Sequence, residues 1–497
     1  MPPNPLADVT EPAPRSLFRT VVPPIILPVF LAAADGTVVA TALPAIAADL
    51  GEVELLSWVV VANLIASTVA APAFGRMADM FGRRRMMVAA LLAFAAASIL
   101  CALAPNFPFL LAARVLQGLG GGGLMTLAQA LIGENVPARS RGAYQGYLSA
   151  NIVAGALIGP IAGGLLTEWW GWRSIFVGYA PLCLIAVGLT MRLPRGAPAA
   201  GGRAPIDLPG MALLALFATP LLAAVSQVQR LDDRALPGVL ALLACAGTAL
   251  AALLRQQRRA PAPILALNLL RLPAFWRADV MAFCSGGSLT GLITFLPIYL
   301  QVTTGASPAE AGVLLMPLTV SVSSGSVVTG WLISRTGRTA AFPMYGLMVT
   351  AATLVALAVW APELSRAQQA WILAAGGLCQ GSAMLTAQVT VQAVAGARNL
   401  GAAAASAQLS RSLGSAFGVA AAGAVLFASL SAADHATADL FFDMVRRGPG
   451  ALAALAPARQ IEVQAQVAQA FRGVFLTIAC FSLTIVAMAA TMPLRRV

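Results

Sequence analysis

The chain has 497 residues, of which 59% are hydrophobic and only 10% charged, with a formal net charge of +12 and 31 basic residues that are all arginine. A water-soluble protein of this length carries about a quarter charged residues, so that class is excluded. Apolar segments of about 20 residues recur, the length that crosses about 30 Å of hydrocarbon at 1.5 Å per residue, and the short alternating strands of an outer-membrane barrel are absent.

Fourteen spans are predicted, making an all-α polytopic membrane protein. They lie near 21–43, 55–74, 86–105, 108–131, 143–166, 173–192, 209–228, 237–254, 277–300, 310–333, 340–360, 368–392, 402–429 and 472–492. Residues 1–20 form a short tail without a signal-peptide layout, and the apolar run after them is too long for a cleaved h-region. The six cysteines, Cys101, Cys183, Cys245, Cys284, Cys379 and Cys480, fall in or beside apolar spans and read as small hydrophobes, not as metal ligands or disulfides.

The first span contains AADGTVVATALP, Ala33 to Pro44. An ionised aspartate in mid-membrane is costly, so Asp35 is a functional candidate. Next comes GRMADMFGRRR, Gly75 to Arg85. Four arginines and an aspartate between two apolar runs must form a tight turn on one side of the membrane. Gly75 and Gly82 permit the turn and close helix approach. Asp79 can cap or pair with a neighbouring helix end, and Arg83, Arg84 and their neighbours hold the surface. The fourth span carries RVLQGLGGGG, with Arg114 and Gln117. Counted from the span ends, Arg114 and Asp35 both lie about 9–12 Å below the outer surface, which allows the two to face each other. The fifth span carries GALIGPIAGG. There Gly155, Gly159 and Gly163 recur every four residues as a flat packing face beside Gly164, and Pro160 bends the helix.

The second half repeats the first. GWLISRTGR, Gly330 to Arg338, is a weaker copy of the basic turn, with Ser334 in the place of Asp79. RGAYQGYLSANIVAGALIG aligns with LGAAAASAQLSRSLGSAFG, so that Gly142, Gly155 and Gly159 fall on Gly401, Gly414 and Gly418. Gln380 matches Gln117, but Gly377 stands where Arg114 would be. The repeat is parallel. It predicts a first bundle at 21–192, a linker with two inserted spans at 193–274, and a second bundle at 275–497 with a long outer loop at 430–471. That loop holds the lone histidine, His435, in a run read as solvated rather than metal-binding; no metal site is expected.

With the N-terminus inside, the outer segments hold only Arg173, Arg230, Arg234, Arg366, Arg446, Arg447, Arg459 and Arg472. The positive-inside rule then places both termini in the cytoplasm. It also accounts for the basic balance, so no nucleic acid is expected as partner.

These motifs together resemble the major facilitator superfamily, and the fourteen spans resemble its EmrB/QacA-type drug:proton antiporters. The resemblance covers essentially the whole chain. It implies a major facilitator fold of two six-helix repeats plus two inserted helices. It implies a latch at Gly75, Asp79, Gly82, Arg83 and Arg84 that stabilises the outward-open state. It implies proton coupling at Asp35 and Arg114, and antiport marked by Gly155, Gly159, Pro160, Gly163 and Gly164. Asn63, Gln117, Asn151, Gln388 and Gln392 are candidates for the substrate cavity, where Asn151, Gln388 and Gln392 either face the cavity or hydrogen-bond between helices. Asp279 reads as a surface partner of Arg277 in preference to a coupling site, and Arg411 as the partner of an acid such as Asp79.

The implied activity is proton-coupled efflux of lipophilic neutral or cationic compounds across a bacterial inner membrane. It needs no cofactor beyond the proton as coupling ion. The expected state is a monomer in the lipid bilayer, and some relatives in double-membraned bacteria add a periplasmic adaptor protein. An exporter of one endogenous metabolite or siderophore fits the same motifs, and a non-transporting membrane sensor is the alternative of another class. With no GxxxxGK[ST] loop and no nucleophile–histidine pair in the sequence, an enzyme is not expected.

Overall fold

In the computed structural model, residues 14–51, 56–137, 140–193, 207–228, 236–260, 263–265, 267–304, 308–360, 363–396, 399–433 and 457–493 are described. Among them fifteen helices appear: α1 Pro14–Leu50, α2 Leu56–Phe81, α3 Arg83–Ala102, α4 Phe107–Asn135, α5 Arg141–Trp170, α6 Arg173–Thr190, α7 Leu208–Val228, α8 Leu236–Arg259, α9 Leu267–Leu270, α10 Pro273–Thr304, α11 Pro308–Thr336, α12 Ala341–Trp360, α13 Arg366–Ala395, α14 Leu400–Ala433 and α15 Pro457–Ala490. Fourteen are long and apolar enough to cross a membrane, and only the four-residue α9 is not.

Two boundaries differ from expectation. Helix α2 runs through most of the basic motif, and Gly82 alone makes the break to α3, at φ 93°. Its counterpart Gly337 also lies in the left-handed region, at φ 68°, a conformation that costs little only without a Cβ. Helix α15 begins at Pro457, inside the predicted outer loop. Polar residues such as Arg459 and Glu462, paired at 2.8 Å, mask a helix whose apolar side buries Val463, Val467 and Phe471. His435 and most of that loop, like the linker at 194–206, lie outside the described residues.

The repeat is visible in the packing. In the first half α1 packs on α5, α2 on α4 and α3 on α6; in the second α10 packs on α14, α11 on α13 and α12 on α15. Each half encloses its own apolar core, one around Leu91, Phe94 and Phe176, the other around Tyr299, Phe471 and Phe475. The halves meet crosswise through α2·α14 and α5·α11. The α7–α8 hairpin lies alongside, with Leu214 and Leu253 against Leu409 of α14. Asp207 ties the hairpin's ends: its carboxylate accepts the Gly210 amide at 2.8 Å and the Gln257 side chain at 2.5 Å. Exposed leucines and isoleucines such as Leu184, Ile185 and Leu240 face outward, as a lipid-facing surface requires. The six cysteines are free; Cys245 and Cys480 are exposed on this surface rather than buried.

Candidate functional site

Helix α4 carries Arg114, and its glycines explain how a guanidinium is held there. A Cβ on Gly118 would lie 2.4 Å from the Asn63 carbonyl of α2, and one on Gly122 would lie 2.1 Å from that of Ser67. Glycine alone permits so close an approach, which draws the base of the Arg114 side chain against α2.

Arg114 is fully buried and Asp35 is 2% exposed. Nη1 of Arg114 lies 2.9 Å from each carboxylate oxygen of Asp35. The same nitrogen reaches Oε1 of Gln117 at 2.5 Å, and Nε donates to the Val59 carbonyl at 3.1 Å. Gln117 donates in turn to Ser98 at 2.9 Å and more weakly to Asp35 at 3.3 Å. The Cys101 thiol sits 3.6 Å from its oxygen, and the Phe176 ring closes one side, with the Arg114 guanidinium 5.9 Å from its centroid. Nη2 of Arg114 is buried without a hydrogen-bond partner, and the buried Tyr179 hydroxyl lies beside Asp35.

The site is therefore a buried ionic cluster inside the first bundle, assembled from α1, α2, α3, α4 and α6. Such a pair is sensitive to its own charge state. Removing one partner of a buried pair costs about 3–5 kcal/mol, because the other charge is left uncompensated. Gln117, fully buried, belongs to this cluster. Ser98, Cys101 and Tyr179 were missed from sequence; an isolated hydroxyl or thiol in a span has no pattern to mark it.

A second cluster lies at the arginine-rich end, where Gly82 turns. Helices α2 and α14 meet at Gly75 and Gly401, and a Cβ on Gly401 would stand 2.2 Å from the Gly75 carbonyl. The aligned pair meets the same way across α11 and α5, where a Cβ on Gly330 would stand 2.1 Å from the Gly142 carbonyl. Asp79, one turn beyond Gly75, caps the start of α14. Its carboxylate accepts the amides of Gly401 at 3.1 Å and Ala402 at 3.2 Å, and Arg83 donates to it at 2.9 Å. Arg83 also reaches Glu134 at 3.1 Å, and Arg84 donates to the Leu193 carbonyl at 2.7 Å. Arg411 does not pair with Asp79. It stands ten residues beyond Gly401, about 15 Å along α14, and donates to Gln408 at 2.6 Å.

Between these clusters Gln129 of α4 joins the halves. Gln388 donates to its side-chain oxygen, and Gln392 to its backbone carbonyl at 3.0 Å. Both glutamines thus hydrogen-bond between helices. Asn63 donates to the Arg114 carbonyl at 3.4 Å, and Asn151 to that of Ile26 at 2.7 Å. Gly155, Gly159 and Gly163 form the face of α5 that lies on α1: an added Cβ would meet the Phe30 carbonyl at 3.2 Å, that of Ala34 at 3.3 Å and that of Val38 at 2.5 Å. Gly164 has open space beside it and is not part of this face. Pro160, on the exposed side, leaves α5 continuous.

The model of the Major Facilitator Superfamily matches residues 25–419. The chain belongs to this superfamily. Similar proteins include an uncharacterised MFS-type transporter of Mycobacterium tuberculosis, 33% identical over 404 residues, which are 81% of this chain and 58% of that protein. The multidrug transporter protein MdtP of Bacillus subtilis is 31% identical over 406 residues, 81% of this chain and 74% of its own. The chain thus spans somewhat over half the length of the mycobacterial relative. Among solved structures, the human organic anion transporter MFSD10 (TETRAN) superposes with a TM-score of 0.65 at 16% identity, covering 96% of this chain and all of that one. The major facilitator superfamily transporter FucP in its outward conformation gives 0.61 at 14%, covering 96% and 99%. These identities speak to the fold alone.

Within the superfamily fold, the second half repeats the ionic site without its charges. The Phe30 carbonyl lies beside Gly155 as the Phe283 carbonyl lies beside Gly414, and this register puts Ser288 where Asp35 stands. Ser288, Gly377 and Gln380 line one small cavity, and the Gln380 amide has no hydrogen-bond partner there.

Proposed function

We propose that the protein is a proton-coupled efflux antiporter for lipophilic neutral or cationic compounds, working by alternating access. The arginine-rich end faces the cytoplasm of a bacterial inner membrane, with both termini on that side, and the unit is a monomer. The single observation that carries this reading is the Asp35–Arg114 pair, buried and complete while the arginine-rich end is closed by Asp79 and by the Gln129 contacts. Closed there, the protein accepts a proton from the opposite side. Protonation of Asp35 removes the charge that holds Arg114, and the cost of a lone buried guanidinium drives the rearrangement that opens the other end. The proton then leaves to the cytoplasm and cargo enters. One proton entering down 100 mV releases about 2.3 kcal/mol, roughly fifty-fold in the gradient of a neutral cargo exchanged one for one. Relatives named as a multidrug transporter and as efflux pumps support the direction and the cargo class.

The test is Asp35→Asn in proteoliposomes, with ethidium as lipophilic cation. The expected result is loss of pH-driven ethidium movement with exchange of ethidium for ethidium retained. Undiminished pH-driven transport removes Asp35 from the mechanism. A susceptibility panel in an efflux-deficient host, with and without an uncoupler, separates a broad exporter from one dedicated to a single metabolite.

A further inference from the structure

One buried carboxyl has no place in that cycle. Asp279 lies six residues into α10, about 9 Å from its start, and is 7% exposed. Its expected partner Arg277 turns away, stacking on Trp276 at 5.3 Å and donating to the Thr491 carbonyl. Residues two apart on a helix do not face each other. Oδ2 of Asp279 accepts the Ser406 hydroxyl at 2.6 Å, and Oδ1 is buried with no hydrogen-bond partner.

No counter-charge reaches it among the described residues. The helices packed on α10 are α9, α11, α13, α14 and α15. Their charged groups are Glu310 and Arg335 on α11, Arg366 on α13, Arg411 on α14, and Arg459, Glu462 and Arg472 on α15; α9 has none. Arg335 lies over Trp331 at 3.9 Å and Arg411 on Gln408. Glu310 pairs with Arg366, and Arg459 with Glu462, toward the opposite end. Arg472 is exposed and stands halfway along α15. An ionised carboxylate buried without a partner is far costlier than one that carries a proton.

Position gives this carboxyl a use. The register that sets Ser288 opposite Asp35 sets Asp279 opposite Ile26. That is nine residues, about 13 Å, nearer the arginine-rich end than Asp35. Ser406 lies on α14 about one turn beyond Gly401 and Ala402, whose amides hold Asp79. The start of α14 is thus gripped from α2 by one acid and from α10 by another.

We infer that Asp279 is a second proton-carrying group of the transport cycle: it takes a proton from the outer side and holds it on Oδ1 while the two halves are closed at the arginine-rich end, and releases it to the cytoplasm when that end opens and water enters. The inference rests on the antiport reading and adds one proton per cycle to it. Opening lets water solvate the carboxylate, which removes the burial cost that retained the proton.

The experiment uses the full chain in proteoliposomes with ethidium at zero membrane potential. With two protons per cycle a gradient of one pH unit sustains about a hundredfold ethidium gradient, and with one proton about tenfold, since each pH unit is one factor of ten per proton. Asp279→Asn keeps an acceptor for Ser406 and is expected to lower the static gradient about tenfold. Infrared difference spectra provide a readout independent of transport, in which Asp279→Asn loses one protonated-carboxyl band that Asp35→Asn retains. Asp279→Glu is expected to restore both signals. An unchanged static gradient together with an unchanged carboxyl band overturns the inference. Absence of any pH-driven ethidium movement in the parent protein overturns instead the antiport reading, and the band still decides whether Asp279 carries a proton.

Discussion

Exchanging Asp79 for asparagine tests how the two halves are held at the arginine-rich end. The carboxylate accepts two amides at the first turn of α14 and the Arg83 guanidinium. Asparagine keeps one oxygen for one amide and loses the charge. An anion at a helix N-terminus is worth about 0.3–1 kcal/mol when exposed and up to about 2 when partly buried; Asp79 is 6% exposed, so the upper figure applies. The second amide loses its acceptor, roughly another 1 kcal/mol. Arg83 keeps Glu134 at 3.1 Å and adds little to the loss. The closed form is therefore destabilised by about 2–3 kcal/mol, a roughly 30- to 150-fold shift in the ratio of closed to open forms.

Spin labels at Arg85 and Arg338, both exposed and on opposite halves at this end, report the change as a distance distribution. Asp79→Asn is expected to populate a longer distance absent from the parent. Gly401→Leu is the positive control, because its side chain must enter the space held by the Gly75 carbonyl. Ser334→Asp builds the missing acid at the aligned position beside α5 and is expected to sharpen the short distance. If Gly401→Leu opens the distribution while Asp79→Asn leaves it superimposable on the parent, the electrostatic account of the latch is refuted.

Substituting Gly159 by valine places methyl groups against Thr37 and the Ala34 carbonyl of α1; overpacking of this kind costs about 1–3 kcal/mol, to be read as a lowered unfolding temperature together with lost ethidium export. Removing Gln388 and Gln392 together by alanine costs the closed form about 1 kcal/mol for each hydrogen bond to Gln129, so the Arg85–Arg338 distances should open less than for Asp79→Asn. At the opposite end, Arg173 and the Trp172 indole hydrogen-bond Asp49 and hold its carboxyl below the usual 3.8. The folded value is depressed, so this tie between α1 and α6 is present above pH 3.8 and is lost as the pH falls through the lowered value. Thermal scans are expected to show an acid-side destabilisation that Asp49→Asn removes, and identical acid limbs would contradict the assignment.

The reach of the sequence follows from the physics of each feature. Charges in hydrocarbon are rare enough to announce themselves, and counting residues at a fixed rise put Asp35 and Arg114 at one depth, where the structure brings them into contact. Glycine spacing marked a packing face on α5, since a missing Cβ leaves a periodic trace, but not that α1 lies on it. What stayed hidden depends on rotation about a helix axis or on partners far along the chain. Gln117 turns to Ser98 and the ion pair. Arg277 and Asp279, neighbours in sequence, point to different surroundings. The polar start of α15 read as loop because its burial is one-sided. Tyr179 had no signal at all beyond being a phenol within an apolar run.

The repeat explains why charge in one bundle can act on both. The contact surfaces at the arginine-rich end are duplicated, with Gly75 against Gly401 and Gly330 against Gly142, so the backbone itself favours neither pair. Chemistry breaks the tie. Asp79 caps α14, whereas Ser334 bonds to the Trp331 carbonyl within its own helix. Asp35 and Arg114 fill the first bundle's site, whereas Ser288 and Gly377 leave the second one uncharged. On the antiport reading, a proton reaching Asp35 alters the packing of the first-bundle helices around the cluster, and α2 links that change to the start of α14 through Asp79. The second bundle can then respond as a body, because its own copy of the site holds no charge that would need a partner at the same moment.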